Sequence, residues 1–404
     1  MRSSVDPVGC SGLSRRSFFR FAAGVSAVAS MPILTESRMA FAARPKFADP
    51  NKGIHIDANE NPLGPSESAR QAIADIIPKG GRYEFTMEME LTETFAKIEG
   101  LSPDCVKAFA GSSEPLHYTV LAFTDKNKPL VIADPGYEAP MWAAQVSGAS
   151  VIKVPLADPK GAAAHDIKAM LAAASTPGVI YICNPNNPTG TITPHEEIEY
   201  AVANAPKGTI VLIDEAYIHL SDAPNSLQFV KDGKDVIVLR TFSKLYGMAG
   251  IRMGFAIGRP DLLKKYESYG QNSLPITALA AAKASLVDKE LVPTRRQIIA
   301  DIRNENIAWL KGAGYAVTPS VSNCFMLDVR RPGQEVLAAM AAKEIYIGRI
   351  WPAWPTQVRI TVGTADEMAA FRTAFTDVMA SKTAGLIAPK RPGRLADRPF
   401  THLS

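Results

Sequence analysis

Between about Gly80 and Gly258, short apolar runs alternate with segments of helical period, and this alternation restricts the chain more than any other feature. The runs are residues 129–133 (PLVIA), 151–155 (VIKVP), 179–183 (VIYIC), 210–213 (IVLI) and 236–239 (VIVL). They are rich in β-branched residues and bounded by polar or turn residues. They do not alternate polar with apolar, so they read as strands buried on both faces. Between them, residues 138–147, 165–174 and 194–205 space their apolar side chains as helices do, with Asp166 and Pro194 at or beside helix starts. Such an order predicts an α/β fold: a large domain with a mostly parallel sheet flanked by helices. A smaller α+β unit follows, with a long helical pattern through Arg295 and Trp309 and strand-like residues 324–329 and 358–362. A chain of 404 residues is long enough for two cores.

The two ends read differently from this body. Residues 1–42 hold five arginines against Asp6 and Glu36, and the adjacent Arg15 and Arg16 precede an apolar, small-residue run, 21–34. That run is too short to span a bilayer, so no stable membrane insertion is expected. The pattern Ala40-Phe41-Ala42 follows it. Basic segment, short apolar segment and small-residue cleavage site in that order predict an export signal cut after Ala42. The paired arginines resemble the twin-arginine class, which implies passage through the twin-arginine translocation machinery to the periplasm. Residues 382–404 form a basic tail with three prolines and read as solvated chain. These two ends carry more than the whole formal charge of +4, so the body is slightly acidic and nucleic-acid binding is not expected. Four scattered cysteines and six scattered histidines give no metal-ligand spacing, so no metal is expected.

In a parallel α/β sheet, ligands bind beyond the carboxyl ends of the strands. VIYIC leads into Asn184-Pro185-Asn186-Asn187-Pro188-Thr189-Gly190, and IVLI into Asp214-Glu215-Ala216-Tyr217. VIVL leads into Arg240-Thr241-Phe242-Ser243-Lys244, and PLVIA into Asp134-Pro135-Gly136-Tyr137. Upstream, Gly111-Ser112-Ser113-Glu114 is a small-residue turn before a helix that can offer N–H groups to a phosphate. Each feature alone has a structural explanation as a loop acid, a surface base, a helix cap or a turn. Together, a lysine, a strand-end carboxylate, an aromatic and a phosphate nest are the parts needed to hold pyridoxal 5′-phosphate.

At these residues the chain resembles the fold-type I pyridoxal-phosphate aminotransferases of class I/II, in the histidinol-phosphate aminotransferase-like branch. The carrying motifs are Asp57–Gly64 (DANENPLG), Arg82-Tyr83, GSSE, NPNNPTG, DEAY, Thr241–Gly254 (TFSKLYGMAGIRMG) and Arg359 in VRITVG. They run in the family's order from Ile54 to Gly363. The resemblance implies Lys244 as the residue that forms a Schiff base with the cofactor and then serves as general base and acid at the substrate Cα. Asp214 would keep the pyridine nitrogen protonated. Asn187 and Tyr217 would donate to the ring's phenolic oxygen, and Tyr137 would stack on its face. Ser112, Ser113, Thr241, Ser243 and Arg252 would grip the phosphate, joined by Tyr83 from a second subunit of a homodimer with shared sites. Arg359 and Asn61 would bind the substrate carboxylate, and Arg349 a distal phosphate.

The implied domains are the signal 1–42, an N-terminal arm 43–79 that contributes to the small domain, the cofactor-binding large domain 80–278, the small domain 279–381 and the tail 382–404. The expected activity is ping-pong transfer of an amino group between an amino acid, or an amino-acid-like amine, and a 2-oxo acid. Decarboxylation of a phosphorylated amino acid, or racemisation, would use the same scaffold, and a non-catalytic binding protein is a third alternative. One departure stands out: the family often has a second tyrosine three residues after the stacking one, where this chain has Pro140, with Trp142 two residues on. An exported enzyme would also not meet an internal intermediate of histidine biosynthesis, so that pathway is not the expected task.

Overall fold

A computed structural model describes residues 33–45, 49, 52–270 and 272–381. The paired arginines, most of the apolar run after them and the basic tail lie outside the described residues. Strand β1 (Ile54–Ile56) belongs to the smaller unit. The central sheet comprises β2 (Val106–Phe109), β3 (Leu130–Asp134), β4 (Val151–Pro155), β5 (Val179–Cys183), β6 (Ile210–Asp214), β7 (Val236–Thr241) and β8 (Gly254–Gly258). Their spatial order is β2-β8-β7-β6-β5-β3-β4. Pairs from β7 through β4 are parallel, and β8 runs antiparallel to both β7 and β2. β5, β6 and β7 are buried at every position, which is why their sequences never alternate. Each buried Val, Ile or Leu there contributes about 1.5–3 kcal/mol relative to exposure.

The five apolar runs are strands to within two residues, but β2 and β8 were not legible as strands. VKAF and GFAIG lack the β-branched run that marks the others. The reversed direction of β8 matters for the site. Gly254 pairs with both Thr241 and Phe109, so the residues before β8 arrive at the same sheet edge as the residues after β2 and β7. Arg252 reaches the carboxyl edge in this way.

In the smaller unit, β9 (Cys324–Asp328) and β11 (Gln357–Thr361) are antiparallel, with Arg359 opposite Met326. β10 (Ile345–Ile347) pairs in parallel with β1, so the arm after residue 43 supplies a strand to this unit. The terminal helix Ala365–Ala380 starts at a capping box in which Thr364 and Glu367 satisfy each other's backbone N–H. The seam drawn at residues 278/279 falls inside the continuous helix Ile276–Val287. Its fully buried Ala278, Ala281 and Ala282 let it pack closely on the helix Glu67–Ile76.

Residues 36–43, expected to belong to the export signal, form a helix docked on the body. Thr35 caps it by accepting from the Arg38 N–H, Ala40 is buried, and Arg44 grips Asp57 at 2.6 and 3.0 Å. The pattern Ala40-Phe41-Ala42 therefore sits on a docked helix rather than on extended chain.

Candidate active site

The carboxyl ends of β2, β3, β5, β6 and β7 converge on a cavity of about 320 Å³. One end is a nest of donors. The helix Ser113–Phe123 starts there, and its free N–H groups and dipole favour an anion. Facing it, the Thr241 hydroxyl donates to Ser243 Oγ at 3.0 Å and accepts from the Ser243 N–H at 3.1 Å. The Arg252 guanidinium donates to Ser243 Oγ at 3.1 Å, to the Ala249 carbonyl at 3.0 Å and to the Ala110 carbonyl at 3.2 Å. This fixes the arginine at the nest. Its own backbone is left-handed, with φ 71°, at a cost of about 1–3 kcal/mol for a side chain this large. Gly111 is required beside it: at φ 92° a Cβ would lie 2.1 Å from Arg252 Nη2.

Across the cavity, Asp214 ends β6. Its Oδ2 accepts from the Tyr181 hydroxyl at 2.8 Å and its Oδ1 from the Ala216 N–H at 3.1 Å. Burial raises its pKa to about 6, against the opposing pull of these two donors and of Lys244. Lys244 is itself buried, with Nζ donating to the Asn59 carbonyl at 3.0 Å and lying 5.5 Å from the centre of the Tyr217 ring. Burial lowers its pKa, against the pull of Glu36. The Tyr217 hydroxyl accepts from Asn59 Nδ2 at 2.9 Å, which leaves its own proton free to donate. Burial, with nearby anions, holds that phenol well above its ordinary pKa, so it stays protonated.

The third wall comes from the smaller unit. Arg359, fully buried on β11, donates to Asn187 Oδ1 at 2.9 Å, to the Asp57 carbonyl at 2.6 Å and to Glu36 at 2.7 Å. Arg349 donates to both carboxyl oxygens of Glu138 at 2.9 Å and to Glu36 at 3.2 and 3.3 Å. The indole of Trp351 lies under both guanidiniums, 4.7 Å from Arg349 and 5.5 Å from Arg359. The Nε atoms of both arginines are buried without a partner among the described residues.

Lys244, Asp214, Tyr217, Tyr137, Asn187, Ser112, Ser113, Thr241, Ser243 and Arg252 thus line one cavity, with Arg359 and Arg349 on its flank. The structure does not bring Asn61 there. Its Oδ1 accepts from the Leu63 N–H at 3.1 Å, closing a local turn, and its Nδ2 donates to the Leu245 carbonyl at 2.8 Å, tying that turn to the chain just after Lys244, so both polar ends are already engaged. Its neighbour Asn59 faces the site instead. Tyr83 stands outside the cavity of its own chain, 72% exposed and stacked on Phe85 at 5.6 Å. Trp142 does not line the cavity either; Trp351 is the indole beside it. Tyr181, Asn59, Trp351 and Glu36 were missed in the sequence. Tyr181 had a usable signal, since it stands two residues before the end of the strand that neighbours β6.

The residues present fit pyridoxal 5′-phosphate. An anion nest, a buried amine, a buried carboxylate and a free phenol proton share one cavity of suitable size. A family model, aminotransferase class I and II, matches residues 51–375. The chain belongs to this family. As a class I/II aminotransferase it is 32% identical over 342 residues to a histidinol-phosphate aminotransferase of Moorella thermoacetica, covering 81% of this chain and 86% of that one. It is 34% identical over 341 residues to an aromatic amino acid aminotransferase of Rhodococcus jostii, covering 82% and 92%. Among solved structures, a histidinol-phosphate aminotransferase from Sinorhizobium meliloti in complex with pyridoxal-5′-phosphate aligns with a TM-score of 0.75 at 25% identity. It covers 91% of this chain and 98% of that one.

Proposed function

We propose that this aminotransferase holds pyridoxal 5′-phosphate at Lys244 and moves an amino group between an amino acid and a 2-oxo acid in two half-reactions. The observation that carries the reading is the buried Lys244 amine, in one cavity with Asp214 and the Ser243–Arg252 nest and beside Arg359. When bound, the cofactor supplies an electron sink for bonds at the substrate Cα. The chain's own residues do the rest. The nest on Ser112, Ser113, Thr241, Ser243 and Arg252 would hold the phosphate as charge-assisted donors do. Asp214 would keep the ring nitrogen protonated, Asn187 and Tyr217 would donate to the ring oxygen, and Tyr137 would pack on the ring. Lys244 Nζ would serve as the base and acid for the Cα proton. Arg359 presents a guanidinium fork to the α-carboxylate, and Arg349 adds a second cation for an anionic group further out. The exposed Tyr83 and Phe85 suit a homodimer in which Tyr83 reaches the partner's phosphate nest.

In single turnover with an amino acid panel, transamination leaves the amine form of the cofactor and one equivalent of 2-oxo acid. Recovery of the aldehyde form with release of CO₂ would replace this reading with decarboxylation, and inverted amino acid with racemisation. We also propose export by the twin-arginine route to the periplasm, supported by Arg15-Arg16 and the apolar run after them. Replacing Arg15 and Arg16 with lysine should stop delivery; unchanged periplasmic protein would sink that proposal.

A further inference from the structure

Among the described residues, Glu36 is the one carboxylate that touches both substrate-side arginines. It accepts from Arg359 at 2.7 Å, from Arg349 at 3.2 and 3.3 Å, and from Asn187 Nδ2 at 3.2 Å. Its side chain is only 12% exposed. These are the partners a substrate carboxylate would use, and a buried guanidinium cannot serve two carboxylates in the same place. The helix that carries Glu36 is held independently of this contact, through buried Ala40 and the Arg44–Asp57 ion pair. We propose that Glu36 is a self-blocking residue that occupies the carboxylate seat on Arg359 from within the chain, so that protein retaining this residue binds carboxylate substrates more weakly than protein without it.

The proposal rests on the reading of Arg359 as that seat. Burial opposes ionisation of Glu36, but Arg349 and Arg359 outweigh it and lower its pKa to about 2. Glu36 therefore stays charged in any buffer the enzyme would meet. A substrate must displace it rather than wait for it to protonate. A cut after Ala42 would separate Glu36 from the body and clear the seat, leaving Arg44 on Asp57.

The probe is maleate, a dicarboxylate small enough for the two arginines, titrated calorimetrically into cofactor-loaded full-length protein. Glu36→Gln and Glu36→Ala are expected to bind maleate at least tenfold more tightly than wild type. Arg44→Ala, which loosens the helix without touching the arginines of the seat, should shift affinity the same way by a smaller factor. Equal or weaker binding by both Glu36 variants would overturn the proposal. Adding Arg359→Ala to Glu36→Gln separates the two ideas. Loss of maleate binding keeps the seat and leaves the Glu36 comparison as the judge. Unchanged binding removes the seat, and the proposal with it.

Discussion

A Lys244→Ala protein should lose transamination by at least about 10³-fold, the scale of a positioned acid–base group, with further loss from the missing covalent attachment. The loss should not come from misfolding. Among the described residues Lys244 Nζ donates to the Asn59 and Ala58 carbonyls, and Asn59 O keeps a second donor in Asn323 Nδ2 at 3.1 Å. The stability cost is accordingly that of two hydrogen bonds from one amine, about 1–3 kcal/mol. The phosphate nest does not involve this lysine, so the variant should still take up the cofactor without attaching it. The depressed pKa of the amine points the same way: burial favours the neutral form, the one that can attack a carbonyl. Turnover measured beside equilibrium cofactor binding tests both halves. Activity within tenfold of wild type would remove Lys244 from the chemistry.

Asp214→Asn should lower kcat by about 10²–10³, as expected for loss of a preorganised charge facing developing charge. Asparagine keeps the shape and can still meet Tyr181 and the Ala216 N–H. The loss should therefore fall on turnover more than on cofactor binding. Asp214 also makes a prediction about pH for the cofactor-free protein. Its folded pKa is raised to about 6, above the ordinary value near 4. Between these values the folded state binds more protons than the unfolded one, so stability falls as pH rises from about 4 to about 6 and is level above. The full change is on the order of 3 kcal/mol. The amide introduced by Asp214→Asn cannot titrate, so wild-type thermal stability relative to that variant should drop across the window. With cofactor bound, a protonated ring nitrogen favours the ionised carboxylate and the dependence should shrink. A flat difference between pH 4 and 7 in the cofactor-free proteins would contradict the buried, proton-holding Asp214.

Most of the large sheet was legible because strands buried on both faces have no alternative to uninterrupted β-branched runs. β5, β6 and β7 declare themselves in VIYIC, IVLI and VIVL. β8 did not, because its glycines serve close approach rather than strand propensity. A Cβ on Gly254 would lie 2.8 Å from the Ser112 nitrogen. The residues brought to the cavity were readable for a related reason: each follows a strand end, where a parallel sheet gathers side chains. Asn61 was misplaced because two asparagines in DANENPLG are equivalent in sequence, and only backbone geometry decides which faces inward. Tyr181 and Trp351 look like core residues until a carboxylate and two guanidiniums are found against them. Glu36 was hidden for the opposite reason. It lies in a segment whose composition reads as an address rather than as part of a site.

The central claim is that Lys244 is the amine that joins the cofactor, and a direct measurement can settle it. Cofactor-loaded protein is reduced with borohydride, digested, and its peptides are sequenced by mass spectrometry for a stable pyridoxyl-phosphate adduct. The account predicts a single modified position, Lys244, with the adduct absent after Lys244→Ala. An adduct on another lysine, or none on protein that retains transaminase activity, would contradict it.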